Sequence, residues 1–241
     1  MSLAYDSDIA PVAALMADRA RAAMLTALLD GRPLAAGELA RVAGVSPQTA
    51  SAHLAKLLDG GLVSVVAQGR WRYYRLAGEE VAAVIEALSR ISPDIEVKGL
   101  RQSRLARRLH TARTCYDHLA GEAGVALFAA LADGGMIEPD AGRPVETGIP
   151  YATTEKGEHR FEEIGLDLDA LRRTRRRFAG ACLDWTERRP HLNGALGAAL
   201  TTRMIELDWF ARVPRERRAL TVTEDGLKGL ADSFGCVLAS H

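Results

Sequence analysis

Gln48, Thr49, Ser51, His53 and Lys56 follow one another within SPQTASAHLAKLL, with Ser46 at its head. They are small or flexible donors and acceptors, the side-chain types that hydrogen-bond to base edges in the major groove of DNA. Downstream, Arg70, Arg72 and Arg75 occur with Tyr74 in GRWRYYRL. Guanidinium groups at that density can neutralise backbone phosphates beside a groove. A second set lies farther along: Cys115 with His118, and Cys182, Asp184, Trp185, His191 and Asn193 within CLDWTERRPHLN. Cysteine and histidine bind soft metals, and cysteine thiolates react with oxidants, so this set carries different chemistry.

The first set needs a helix followed by a hairpin. Ser46 and Pro47 read as N-cap and first helical residue, and Ala50, Leu54, Leu57 and Leu58 recur near helical spacing as the buried side. Gly60-Gly61 ends that helix, and Leu62 to Val66 and Arg70 to Leu76 read as two strands turned at Gln68-Gly69. Before it, Leu34 to Ala43 reads as a shorter helix with Leu39 and Val42 inward, and Gly44 permits the tight turn. The whole predicts a helix-turn-helix with a basic β-hairpin wing.

The run from Ala17 to Leu76 resembles the winged helix of the arsenic-repressor-type (ArsR) bacterial transcriptional regulators, over about residues 8 to 91. The resemblance gives Gln48, Thr49, Ser51, His53 and Lys56 the groove role, and Arg70 and Arg72 the wing role. It implies a homodimer joined through the first and last helices of the module, here Ile9 to Ala17 and Glu79 to Ile91. The family's metal positions are not matched: Glu38 to Ala43 contains no cysteine pair, and Val81 to Ile91 contains no histidine. The resemblance therefore supplies no signal.

With 241 residues, 48% of them hydrophobic, the chain can bury a sizeable core beyond a ninety-residue module, so two domains are expected, 1–92 and 93–241. No run of about twenty residues is uninterruptedly apolar, and MSLAYDSDIAPVA lacks the basic and apolar regions of a leader. Three cysteines at wide spacing do not make a disulfide framework. The expectation is a soluble cytoplasmic protein without membrane contact. Net charge is zero but segregated: Arg41 to Gly78 holds five basic residues against one acid, and Ala132 to Asp169 holds ten acids against three basic residues. A neutral chain can thus present a DNA-facing surface.

In the C-terminal part, Leu105, Leu109, Ala112, Tyr116 and Leu119 suggest one long helix from Lys98 to Gly121, after a hinge at Ser92-Pro93-Asp94. On that helix Cys115 and His118 would be two ligands at one-turn spacing, too few to close a metal site, so no metal is assigned. Cys115, near Arg113, is alternatively a thiol sensor, and packing remains the plain reading of Cys115 and Cys182. Leu171, Phe178, Cys182 and Trp185 suggest one side of a second helix, and Leu192 to Leu200 a third. Tyr151 to Gly165 and Leu220 to Gly235 share a strand ending in Thr, an acid, one residue and Gly, then an amphipathic helix. They suggest winged-helix-like repeats.

The fold class expected is mainly α with small β-hairpins, an N-terminal winged helix-turn-helix followed by a helical C-terminal domain. No phosphate loop, nucleophile elbow or paired-histidine motif occurs, so no enzyme and no cofactor is expected. The reading is a sequence-specific transcriptional regulator, a homodimeric repressor on an inverted-repeat operator in double-stranded DNA. A small-molecule or redox effector would release it through the C-terminal domain, in an apolar pocket near Phe178, Trp185 and Trp209 or on Cys115 with Cys182 as an auxiliary residue, and His118 and His191 are further sensor candidates. The alternative is a scaffold that senses an effector, a thiol oxidant or a soft metal, with a winged helix that no longer reads DNA.

Overall fold

The computed structural model describes residues 7–69, 71–93, 99–140, 150–214 and 216–238. The chain forms two compact units, Met1–Ile85 and Glu86–His241. The expected hinge at Ser92 and Pro93 follows the last helix that spans this division, and Asp94 lies outside the described residues.

In the first unit, α1 (Ala10–Met16) precedes α2 (Arg19–Ala27), which starts at Asp18 because its carboxylate accepts a hydrogen bond from the Arg21 N–H at 2.9 Å. A short 3₁₀ turn (Leu28–Asp30) and a two-residue strand β1 (Leu34–Ala35) lead into α3 (Ala36–Ala43). Gly44, at φ 66°, reverses the chain. Helix α4 (Pro47–Asp59) then begins with Ser46 Oγ accepting from the Thr49 N–H at 3.1 Å. Strands β2 (Val63–Gln68) and β3 (Trp71–Leu76) pair antiparallel from Val63↔Leu76 to Gln68↔Trp71, and β1 joins the other edge of β3. Met24, Leu25, Leu28, Leu29, Leu39, Ala50, Leu54 and Leu57 are all at most 1% exposed and form the core beneath α4. Two residues expected inside are not: Val42 is 46% exposed and Leu58 41%. Leu58 follows fully buried Leu57, and a helix turns only one of two adjacent residues inward, while Val42 stands between exposed Arg41 and half-buried Ala43 in the last turn of α3. Helix α5 (Glu79–Ile91) carries the chain into the second unit.

The second unit opens with α6 (Leu100–Thr111). The expected helix through Gly121 stops there: Ala112 is extended (φ −151°, ψ 130°), and β4 (Arg113–Cys115) and β5 (His118–Ala120) form a hairpin. The apolar stripe could not reveal this, because the competing partners are distant. The Thr114 N–H donates to Arg218 O at 2.9 Å, and Arg113 bridges to Ala219. The helix expected to carry Leu171, Phe178, Cys182 and Trp185 is likewise absent. α9 (Leu168–Arg172) lasts five residues, Thr174 Oγ1 donates back to Leu171 O, and Gly180–Leu183 is a strand.

What replaces them is an internal repeat longer than the one expected. Its first copy runs β4, β5, α7 (Gly121–Asp133), β6 (Ile137–Pro139), β7 (Tyr151–Thr153) and α8 (Glu155–Glu163), and α9 follows it. The second copy runs β8 (Gly180–Leu183), β9 (Pro190–Asn193), α10 (Gly194–Glu206), β10 (Phe210–Arg212), β11 (Leu220–Val222) and α11 (Glu224–Phe234). Thr154 and Thr223 each cap their helix by accepting from the N–H of Gly157 and Gly226, which explains the shared Thr, acid, any residue, Gly. Each copy keeps the helix, hairpin and helix of a winged module, but a hairpin stands ahead of them in place of the helix-turn. Leu127, Phe128, Leu131 and Phe161 from one copy share a core with Leu196, Leu200, Met204, Phe210, Leu230 and Phe234 from the other.

Candidate nucleic-acid interface and a buried cysteine-histidine cluster

The face of α4 opposite Ala50, Leu54 and Leu57 is exposed at Gln48, Thr49, Ser51 and Lys56. Thr49 Oγ1 lies 2.8 Å from Ser46 Oγ, and Ser51 Oγ donates to Pro47 O at 2.9 Å, so both hydroxyls are held by the first turn of the helix. His53 departs from this face. Its ring is mostly covered, with Nδ1 at 3.4 Å from Arg21 Nη1 and 3.8 Å from Asp18 Oδ1. The same Asp18 caps α2, and its carboxyl is held below the usual range, first by the Arg21 backbone N–H. His53 thus ties α4 to α2. On the hairpin Arg72 is exposed, Tyr74 is half-buried between Leu34 and Val65, and Arg75 Nε donates to Ser64 Oγ at 3.2 Å. Arg70 lies outside the described residues.

In the second unit the hairpins bring four residues together that the sequence keeps apart. Cys115 faces His118 across the β4–β5 pair, and Cys182 faces His191 across β8–β9. One ligand-type atom from each of the four lies within 4.8 Å of all the others. Cys115, His118 and His191 are at most 3% exposed and Cys182 is 9% exposed. The imidazoles stack with centroids 5.0 Å apart, and no ring nitrogen of either has a hydrogen-bond partner among the described residues. Cys115 and His118 are therefore not one turn apart on a helix, as expected, but opposite one another in a hairpin.

The cluster is held by paired carboxylates. Asp117 Oδ1 is 3.5 Å from His118 Nδ1 and takes Arg176 through both oxygens, at 2.5 and 2.9 Å. Asp184 Oδ2 is 3.5 Å from His191 Nδ1 and accepts from the Gly121 N–H at 2.7 Å, while Oδ1 takes Arg113 at 2.7 Å. Burial alone would raise the Asp184 pKa, but Arg113 and the Gly121 N–H outweigh it and hold the carboxyl well below the ordinary range. The Cys115 thiol is pushed up to about 12, first by its hydrogen bond with Cys182 and then by burial. The covered position and raised pKa of the Cys115 thiol disfavour a reactive thiolate in this conformation.

The three aromatic residues expected to line a pocket have separate surroundings. Trp185 lies over the Arg113 guanidinium at 4.9 Å, Phe178 under Arg172 at 5.2 Å, and Trp209 against Phe234 at 6.2 Å. A sequence signal for the cluster does exist. Cys-x-Asp and His-Leu-x-Gly-x-x-Gly occur twice, at Cys115 to Gly124 and at Cys182 to Gly197, with Trp185 to Pro190 inserted between Asp and His in the second copy.

Residues 16–66 match a family model described as a helix-turn-helix domain. Over 219 residues, 91% of this chain and 93% of the relative, the sequence is 44% identical to the HTH-type transcriptional regulator YdfF of Bacillus subtilis (strain 168). It is 33% identical over 69 residues, 28% of this chain and 70% of the relative, to the HTH-type transcriptional regulator YgaV of Escherichia coli (strain K12). Among solved structures it is similar to a homodimeric winged helix-turn-helix DNA-binding domain from Mycobacterium bovis, a possible ArsR-family transcriptional regulator. That match has 34% identity, covers 36% of this chain and 86% of the other, and has a TM-score of 0.31. The chain belongs to the helix-turn-helix-type transcriptional regulators.

Proposed function

We propose that the chain is a homodimeric transcriptional repressor of the ArsR type that reads an inverted repeat in double-stranded DNA. Residues 1–92 serve as its DNA-binding and dimerisation domain, and residues 93–241 as a regulatory domain whose ligand state sets DNA affinity. The observation that carries the reading is the outer face of α4, where Gln48, Thr49, Ser51 and Lys56 are exposed beside a hairpin bearing Arg72. A helix kept only for packing has no need of that face. One recognition helix reads few base pairs, so useful specificity needs two, related by a two-fold axis and about 34 to 36 Å apart. No helix among the described residues is long and apolar enough to cross a membrane, which fits work in the bacterial cytoplasm.

The test is recovery of genomic fragments bound by the full chain, footprinting of one such fragment, and light scattering of the free protein. The reading requires a dimer at micromolar concentration and a footprint with half-sites one helical turn apart or a multiple of it. A monomer that binds its site tightly, or binding indifferent to sequence, contradicts it.

A further inference from the structure

The cysteine-histidine cluster is unlike a packing arrangement. Buried polar groups ordinarily find hydrogen-bond partners, and leaving one without is costly. Here the two buried histidines make no hydrogen bond through their ring nitrogens among the described residues, each Nδ1 standing 3.5 Å from a carboxylate oxygen, and one nitrogen of each lies within 4.8 Å of both thiols. Two glycines make that approach possible. A Cβ at Gly124 would lie 2.5 Å from Leu119 O and 3.5 Å from His191 Cβ, and one at Gly197 would lie 2.5 Å from Leu192 O and 3.3 Å from His118 Cβ. Each helix thus bares its first turn to the histidine of the other copy.

We propose that Cys115, His118, Cys182 and His191 form a closed tetrahedral site for a thiophilic divalent cation, zinc being the first candidate. Two sulfur and two nitrogen ligands are a known structural zinc set, with Zn–S near 2.3 Å and Zn–N near 2.0 to 2.1 Å. Tetrahedral bonds of those lengths set ligand atoms about 3.3 to 3.8 Å apart, so atoms now within 4.8 Å of one another close by up to about 1.5 Å on binding. Nδ1 of each imidazole points to a carboxylate, which leaves Nε2 for the ion and fixes the ring, the arrangement that metal-bound histidines use. Charge selects the valence. Two thiolates and a divalent ion sum to zero, which a buried site tolerates, while both flanking carboxylates are already neutralised by Arg113 and Arg176. Binding releases the two thiol protons to solvent, so uptake strengthens as pH rises. Because each repeat supplies one cysteine and one histidine, the ion would cross-link the two halves of the unit. This inference does not depend on the winged module reading DNA.

The test is cobalt and zinc titration of the full chain, purified under reducing conditions and stripped with a chelator. The proposal requires one cobalt ion per chain, the visible absorption of a tetrahedral thiolate-ligated ion, and its displacement by one equivalent of zinc. The Cys115→Ser, Cys182→Ser double variant should lose the thiolate absorption and the bound ion. Asp117→Asn, which leaves all four ligands in place, should weaken affinity about 10- to 100-fold. Wild-type chain that is folded by circular dichroism, with its thiols reduced, yet takes up neither ion overturns the proposal. So does full retention of the ion by the double serine variant.

Discussion

His118 and His191 stack with ring centroids 5.0 Å apart and 30° between planes, each from the second strand of a repeated hairpin. Two copies of one small motif thereby build a single buried centre that neither copy holds alone. Gly124 and Gly197 let the strands and helices meet there.

Gly124→Ala or Gly197→Ala should destabilise the C-terminal unit. The added methyl meets backbone carbonyl carbon and oxygen, which cannot move aside as a flexible side chain can. The expected cost is about 1 to 3 kcal/mol, as for other overpacked sites. Gly37→Ala is the control: nothing lies within 4 Å of its Cβ position inside α3, so it should stabilise by about 0.5 to 1 kcal/mol. Urea midpoints read with far-ultraviolet circular dichroism check both, and equal midpoints for Gly124→Ala and wild type would refute the close-approach account.

Asp184 joins β8 to the start of α7 and to buried Arg113, so Asp184→Asn leaves a guanidinium without its counter-charge. Breaking one side of such a buried pair costs about 3 to 5 kcal/mol. The sign of the pH effect follows from the lowered carboxyl pKa. The contribution is fully present above the unfolded value, near 3.9, and is lost as pH falls below it toward the folded value. Denaturation midpoints from pH 7 to pH 3 should therefore fall more steeply in wild type than in Asp184→Asn, and parallel curves would contradict the assignment.

Ser46→Ala removes the side-chain acceptor for the Thr49 N–H and should cost about 1 kcal/mol in the winged module. Thermal unfolding should shift downward for this variant, and Ser46→Asp, which restores an acceptor beside the positive helix end, should recover most of the loss. Failure of Asp to recover it would place the effect elsewhere.

The winged module is legible in the sequence because its signals are local: Ser46 before Pro47, glycine at 44 and 60–61, and a stripe ending in two strands. Its departures from expectation are the exposed Val42 and Leu58, the covered His53, and Leu34–Ala35, which pair as a strand instead of opening α3. The second unit is not legible by periodicity. Its strands are three or four residues long and choose partners by contacts such as Thr114 with Arg218, more than a hundred residues apart. An apolar stripe reads the same whether Ala112 ends a helix or begins a hairpin. The Thr-capped repeat is visible because capping leaves a fixed local pattern. The cysteine-histidine centre is hidden because its two halves differ by the Trp185–Pro190 insertion.

The central claim is that α4 reads bases while the hairpin holds the backbone, and fluorescence anisotropy of the full chain tests it most directly. Wild type, Gln48→Ala and Arg72→Ala are titrated across a salt series with an operator fragment and with a scrambled duplex. Gln48→Ala should lose about 1 to 3 kcal/mol of preference for the operator with its salt slope unchanged. Arg72→Ala should weaken both duplexes alike and flatten the slope of log affinity against log salt by about 1 for each phosphate that is no longer neutralised. Equal loss of preference in the two variants, or no preference in wild type, would contradict the account.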